Sequence, residues 1–209
     1  ELAEVIYAGY RHAVVLVGTG RYLGLSDLST TGTQSIYGIK DPLTSTGWGN
    51  VRPSLIQQTL SAYQESASLR TLTRNTVDWN TATVAGWYID LPDSGERVAF
   101  NMSLAYNTLT AASLTPVADV CSGDGTSWLY RLDIASGSYS DKNTVAGEKS
   151  AQAIVGTTLV QITDPDGKTD GTIIVTSDGN ASVKKNDSPP AGVAGLRRTS
   201  WRELLPPGQ

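Results

Sequence analysis

Two pairs of acids stand at spacings that invite a chemical reading: Asp90 with Asp93, and Glu96 with Asp133. Glycoside hydrolysis uses two carboxyl groups across the scissile bond, one protonating the leaving oxygen and the other acting as base or nucleophile. The chain holds 20 Asp and Glu in all, so pairs of this kind arise by chance, and most of these acids sit among turn residues. His12 is the one histidine and Cys121 the one cysteine. A zinc site of the usual ligand types cannot be assembled from them, and nothing around His12 supports a Ser-His-Asp apparatus. Cys121 has no intrachain partner and reads as a free, half-buried thiol. Gly18-Thr19-Gly20 follows an apolar run as a phosphate loop would, but no Gly-Lys-Ser/Thr follows it, so that reading is weak. No catalytic, cofactor-binding or metal-ligating residue is assigned, and the expectation is a protein that is not an enzyme.

Charge excludes a second class. Formal net charge is −4, and no basic face large enough to neutralise phosphates is visible, which argues against nucleic acid as the main partner. Arg197, Arg198 and Arg202 are the local exception and read as a solvated or packed tail. No apolar run approaches the length of a membrane span. The chain starts at Glu1 without an initiator Met or a leader, and the expectation is a start inside a longer precursor.

The elements that must carry these residues are short strands. With 209 residues, 39% hydrophobic and only 17% charged, the chain has a core, and its 21 glycines suit an all-β, turn-rich, extracellular type. Ala13 to Val17 reads as a buried strand paired with Gln34 to Ile39, and Leu43 to Val51, carrying Trp48, as a loop. Pro53 to Tyr63 is ambiguous between helix and strand, with the neighbours favouring strand. Ser68 to Thr73 and Gly86 to Leu91 are strands, and Pro92-Asp93-Ser94-Gly95 is a turn in which Pro presets φ and Gly supplies a positive one. Arg97 to Tyr106 and Thr108 to Leu114 read as a strand pair around Asn107. Trp128 to Ile134 alternates, with Trp128, Tyr130 and Leu132 on one face and Leu129, Arg131 and Asp133 on the other. Tyr139 to Ser150 reads as a polar connection, and Ala151 to Val155 with Thr158 to Thr163 as a hairpin around Gly156. Gly171 to Thr176 and Ala181 to Lys185 form another hairpin across Ser177-Asp178-Gly179-Asn180. Pro189 to Gly195 is linker-like, and Ser200 to Leu205 a final apolar segment that docks or closes an edge.

This is about a dozen strands at a spacing of about 8–15 residues. The loose recurrence of strand, turn and strand fits divergent propeller blades of about 40–50 residues, of which the chain supplies at most about four. Trp79, Trp87, Trp128 and Trp201 read as packing anchors, Tyr22 and Tyr37 as packing residues, and Arg97 as a brace of the preceding turn through Glu or backbone carbonyls.

Six pieces of the chain, in order, resemble the C-terminal region of the PilY family of type IV pilus tip-associated adhesin and assembly proteins. They are Val17 to Gly24, Gln34 to Asp41, Arg70 to Trp79, Gly86 to Val98 (GWYIDLPDSGERV, the most specific), Cys121 to Asp133, and Arg197 to Leu204. The resemblance implies an all-β fold, a partial β-propeller of about three to four blades of a larger, seven-bladed ring. Residues 1–205 would be its C-terminal part and 206–209 a tail, with the N-terminal domains of the precursor absent. It also implies a secreted protein at the pilus tip on the bacterial cell surface, supporting pilus assembly, surface adhesion and twitching motility. The implied partners are minor pilins, a host or abiotic surface, and the remaining blades of the precursor. A self-associating or partner-bound extracellular subunit is the alternative, and a propeller-borne hydrolase or quinoprotein-like enzyme a lesser one.

Leu129 to Asp133 followed by Ser136-Gly137 also resembles the blade motif of quinoprotein propellers, in which a Trp follows the Gly; here Tyr139 lies two residues on and no Trp follows. Some family members are implied to bind calcium through alternating acids. The one candidate is Asp164-Pro165-Asp166-Gly167-Lys168-Thr169-Asp170. Lys168 stands at its third ligand position and Val175, not Glu, at its twelfth. The expectation is a tight Asp-Gly turn, with any calcium in the absent part of the propeller.

Overall fold

A computed structural model describes residues 1–63, 66–105, 107–117, 125–140, 145–164 and 167–185. Among them are fifteen strands: β1 (Leu2–Tyr7), β2 (Tyr10–Gly18), β3 (Ser35–Lys40), β4 (Leu55–Gln58), β5 (Leu60–Tyr63), β6 (Ser66–Leu72), β7 (Gly86–Asp90), β8 (Ser103–Ala105), β9 (Thr108–Pro116), β10 (Gly125–Asp133), β11 (Ser138–Tyr139), β12 (Val145–Ser150), β13 (Ile154–Asp164), β14 (Gly167–Thr176) and β15 (Ala181–Lys185). Short 3-10 turns at Leu25–Ser29 and Arg52–Ser54 are the helical pieces. The protein is all-β, as its composition predicts. The sheets are open, and no ring closes among the described residues.

The strands form three sheets. The first runs β1-β2-β3-β7-β4, the second β5-β6-β12-β10-β9-β8 with β11 against β10, and the third β13-β14-β15. Every pairing is antiparallel except β4 with β7. Alternation decides which faces meet. Val5, Val14, Leu16, Ile36, Trp87 and Ile89 of the first sheet share one core with Leu72, Leu109, Ala111, Trp128, Tyr130 and Leu132 of the second. The other face of the second sheet gives Ala112 and Leu129 to a smaller core with Ile154 and Ile174 of the third. Strand β10 is therefore buried on both faces, which is why WLYRLDI lacks a clean polar side.

Two tryptophans and a glutamine hold the first two sheets together. The turn after β10 offers three successive carbonyls: Ile134 O accepts from Trp87 Nε1 at 2.8 Å, Ala135 O from Trp79 Nε1 at 2.7 Å, and Ser136 O from Gln58 Nε2 at 2.8 Å. Each donor is fully buried, so each must find an acceptor inside the protein. Asp133 shapes the turn by accepting from the Ser136 amide and hydroxyl. Trp87 lies directly across from Gly38 in the β3–β7 register, and a Cβ built on Gly38 would meet the indole at 2.4 Å. On its other side the indole rests on Gly137, whose added Cβ would lie 2.2 Å from it. The tryptophan on this glycine thus comes from β7, not from downstream of Gly137 as in the quinoprotein motif.

Several expectations are corrected. Residues 1–12, in which no strand was expected, carry β1, joined to β2 through Ala8 and Gly9 at φ 48° and 85°, the geometry of a two-residue hairpin turn. The ambiguous stretch from Pro53 to Tyr63 is a 3-10 turn followed by two strands in different sheets. Arg97 to Tyr106 is not one strand: Arg97 makes an isolated bridge to Leu114, and only Ser103–Ala105 pairs with β9. The polar connection after Tyr139 hides β12, whose Gly147 and Glu148 insert between β6 and β10. No hairpin forms around Gly156. The register merely shifts there, and β13 continues to Asp164 against β14. That register sets Asp164 opposite Gly167; the turn expected at the calcium candidate falls on Pro165 and Asp166, which lie outside the described residues, as do Cys121, Arg197, Arg198, Trp201 and Arg202. The hairpin from β14 to β15 forms as expected, with Gly179 at φ 81°.

The contact between Trp87 and Gly137 gives a controlled test. Gly137 and Gly49 have nearly the same φ, 65° and 62°, but nothing lies within 4 Å of a Cβ at Gly49. Both Gly→Ala variants carry the left-handed strain of about 1–2 kcal/mol. Gly137→Ala should lose a further ~1–3 kcal/mol through overpacking against the indole, read as a lower denaturation midpoint by urea titration.

Candidate functional site

The densest cluster of charge is built by register. Arg70 on β6, Gly147 on β12 and Tyr130 on β10 lie in one row across the second sheet. A Cβ at Gly147 would sit 2.8 Å from the Tyr130 ring and 3.4 Å from Arg70 Cβ, so the missing side chain lets the two meet above it. Trp128 and Ser113 form a neighbouring pair. The turn after β7 lowers Glu96 onto this surface: Glu96 N donates to Asp93 O at 3.0 Å and Gly95 takes φ 77°, the turn predicted from Pro92 to Gly95.

Glu96 is saturated. Arg70 Nη1 donates to both its oxygens at 3.1 and 2.9 Å, Tyr130 Oη to Oε1 at 2.7 Å and Ser113 Oγ to Oε1 at 2.5 Å. Arg70 also contacts the Tyr130 hydroxyl, pairs through Nη2 with Asp93 at 2.6 Å, and stacks its guanidinium 3.7 Å from the Trp128 ring centre. Trp128 Nε1 closes the circuit on Asp93 at 3.1 Å. Burial opposes the Arg70 charge, yet Tyr130, Glu96 and Asp93 outweigh it and hold its pKa above the ordinary value. Burial, reinforced by Glu96, pushes the Tyr130 hydroxyl well up. The Glu96 carboxylate thus gathers Arg70, Tyr130 and Ser113, side chains of three strands, around the end of one turn.

Arg97 points the other way. It is buried, and its donors go to Gly95 O, Arg21 O, Asp27 O, Thr30 O and the Thr30 hydroxyl. It braces the turn through carbonyls, as expected, and also fastens the loop from Arg21 to Thr30. Asp27 holds that loop from inside, accepting from Leu23 N, Gly24 N and Arg21 Nε. The Leu23 amide first, then Arg21, lowers the Asp27 pKa below its ordinary 3.8.

The remaining acids of the sequence reading are also taken. Both carboxylate oxygens of Asp90 accept from Arg52 Nη2, Oδ1 at 2.7 Å and Oδ2 at 2.6 Å, and Oδ1 also accepts from Ser35 Oγ at 2.6 Å. Arg52 lies 4.2 Å from the Tyr88 ring centre and donates to Tyr37 Oη at 2.6 Å. Neither proposed pair is brought together as an acid and base: Asp90 and Asp93 are claimed by different arginines, and Asp133 caps its own turn while Glu96 serves Arg70. His12 Nε2 meets Asn80 Oδ1 at 3.0 Å, with no nucleophile among its partners. Among the described residues no group of three His, Cys, Asp or Glu is placed to hold a metal, and no helix is long and apolar enough to cross a membrane. Trp79, Trp87 and Trp128 are buried, Tyr37 stacks on Tyr88, and Tyr22 is half exposed. The sequence reading missed Arg52, Gln58 and Arg70. Arg70 alternates in phase with the buried Leu72, the one sign that its guanidinium points inward.

Similarity to known proteins now bears on this geometry. The chain is 26% identical over 207 residues, 92% of its length, to a type IV pilus biogenesis factor PilY1 homologue of Xylella fastidiosa. Another such homologue from the same organism is 30% identical over 66% of the chain. Type IV pilus biogenesis factor PilY1 of Pseudomonas aeruginosa is 26% identical over 59%. The chain is PilY-like. It spans only 16%, 9% and 13% of the length of these three relatives. No protein-family model matches the sequence, and no solved structure matches it. In this PilY-like chain the piece GWYIDLPDSGERV runs from the indole that grips the β10 turn to the Glu96 and Arg97 junction.

Two measurements test the site. Glu96→Gln leaves Arg70 buried without its full charge partner and should cost about 3–5 kcal/mol. Asp93→Asn, at a side chain 41% exposed, should cost roughly 0–1 kcal/mol; both are read by chemical denaturation. Because the folded pKa of Asp27 lies below its unfolded value, its contribution is present above about pH 4 and lost as pH falls through the folded pKa. Asp27→Asn should therefore be less stable than the parent at pH 7, with the gap closing toward pH 2.

Proposed function

We propose that this chain is a non-catalytic β-scaffold within a type IV pilus biogenesis factor, acting at the bacterial cell surface in pilus assembly. The observation that carries this reading is the similarity to a PilY1 homologue over 92% of the chain. The geometry supports a role by shape: the acids that suggested hydrolysis are each held by an arginine, a hydroxyl or their own turn. The stacked open sheets, with Trp87 of one seated on Gly137 of the next, suit wedges of a larger ring. In this reading the chain is the C-terminal part of a propeller whose other blades lie in the rest of a longer protein. Minor pilins and a host or abiotic surface are the proposed partners, and calcium belongs to the remaining part.

The test is genetic. In the bacterium that encodes the chain, an in-frame deletion of its 209 residues should abolish or sharply reduce surface pilin and twitching, and the intact gene should restore both. Normal piliation and twitching in the deletion strain would end the proposal. A Glu96→Gln allele separates stability from chemistry: where the protein accumulates to normal levels, twitching should persist, and its loss at full protein level would point to a chemical role for that acid.

A further inference from the structure

The β14–β15 hairpin carries a pattern that neither the fold nor the pilus reading uses. Asparagine accepts sugar on its side-chain nitrogen where a Ser or Thr hydroxyl follows two residues on and the residue between is not Pro. The chain holds three such triplets: Asn101-Met102-Ser103, Asn180-Ala181-Ser182 and Asn186-Asp187-Ser188. The third lies outside the described residues. The fold treats the other two in opposite ways.

In the first triplet Met102 is buried in the larger core. Ser103 enters β8 opposite Thr110, and its Oγ is shut off from solvent. The hydroxyl that a modifying enzyme must touch is therefore inside. In the second triplet every residue is exposed, and so are Asp178 and Gly179 before it. Thr176 and Asn180 close the turn, with Thr176 N donating to Asn180 O at 3.0 Å. Ser182 stands opposite Ile174 on β15, the outer strand of its sheet among the described residues. A loop tip of this kind can be handled by another protein at little cost to the core.

The acceptor amide is also oriented. Asp178 Oδ2 lies 2.7 Å from Asn180 Nδ2. A carboxylate only accepts, so the contact sets the nitrogen of the amide, not its oxygen, against it. The carboxylate is ionised at neutral pH: the Thr176 hydroxyl first, then the Asn180 backbone amide, lower its pKa below the ordinary 3.8. A charged acceptor polarises the N–H bond and so favours attack by the nitrogen.

We propose that Asn180 is an N-glycosylation site, modified by a membrane-bound oligosaccharyltransferase during export. Asn180 Nδ2 forms a bond to C1 of the first sugar of an oligosaccharide carried on a polyprenyl diphosphate. The bond from C1 to the diphosphate oxygen breaks, the lipid diphosphate leaves with the electron pair, and Nδ2 gives one proton to a base of the transferase. The inference rests on the cell-surface reading in one respect: the chain must cross the cytoplasmic membrane to meet this donor.

The test takes the protein from the bacterium that encodes it, in separate surface and cytoplasmic fractions, and digests each with trypsin. Cleavage after Lys168 and Lys184 releases Thr169–Lys184, with Asn180 inside. In the surface fraction this peptide should carry the added mass of one or more sugar residues, placed on Asn180 by electron-transfer fragmentation. Asn180→Gln should abolish the added mass. Ser182→Ala should do the same while leaving the bonds of Thr176, Asp178 and Asn180 in place, and Ser182→Thr should keep it. Asn101→Gln should leave it unchanged. An unmodified peptide in the surface fraction overturns the proposal while the surface location stands. Recovery from the cytoplasm alone, without sugar, overturns both. Added mass that survives Ser182→Ala overturns the assignment to this triplet.

Discussion

The turn that follows β10 is the constraint from which the rest of the structure follows. Three adjacent carbonyls there point into a place where water cannot reach them, and each is met by a different buried donor from the first half of the chain. An unmade hydrogen bond at such a position costs more than a made one contributes, so the three donors specify the turn's position within narrow limits. Trp79, Trp87 and Gln58 each belong to, or flank, the first sheet; the turn belongs to the second. The two sheets are therefore joined through polar contacts of fixed direction as well as through apolar area, which has none. Gly38 and Gly137 are the counterpart of this arrangement, because an indole can lie this flat only where both neighbours lack a side chain.

A second polar junction works by the same logic with full charges. Arg70 and Glu96 are both inside, where an isolated ion is costly and a paired one roughly breaks even. What such a pair supplies is placement. Glu96 ends the turn that leaves the first sheet, and Arg70, Ser113 and Tyr130 come from three strands of the second, so satisfying the carboxylate sets where that turn lands. Arg97, the next residue, faces away and secures the Arg21–Thr30 loop through carbonyls and the Thr30 hydroxyl. Adjacent residues of opposite charge thereby tie down two different parts of the molecule, and of the acids singled out in the sequence Glu96 and Asp93 belong to this junction.

The all-β class was legible because composition and alternation are local properties. The β2–β3 pairing, the Pro92–Gly95 turn and the β14–β15 hairpin were legible for the same reason: each is written in a few contiguous residues. Strand β12 was not, because VAGEKS reads as polar and owes its place to β6 and β10, which close over Gly147. The division of Leu55 to Tyr63 between two sheets was equally hidden, since both halves have strand character and only tertiary pairing separates them. The strand expected from Arg97 onward stops at its first residue, because Arg97 pairs with Leu114 but the next amide, Val98 N, donates to Thr19 O instead, a partner that no local pattern reveals. Tryptophans as packing anchors were readable from residue type; that two of them would converge on successive carbonyls of a single turn was not.

The grip of Gln58 on Ser136 spans 78 residues of chain, and β6 must likewise wait for β12. Such wide separations between partners raise the entropy that has to be lost before any reward is collected, which slows acquisition of the native state. A ribosome releases β4 and β6 long before their mates exist. Until the β10 turn emerges, the indoles of Trp79 and Trp87 have no acceptors and β6 is bare along one side, so the nascent first half is the species most dependent on assistance against aggregation.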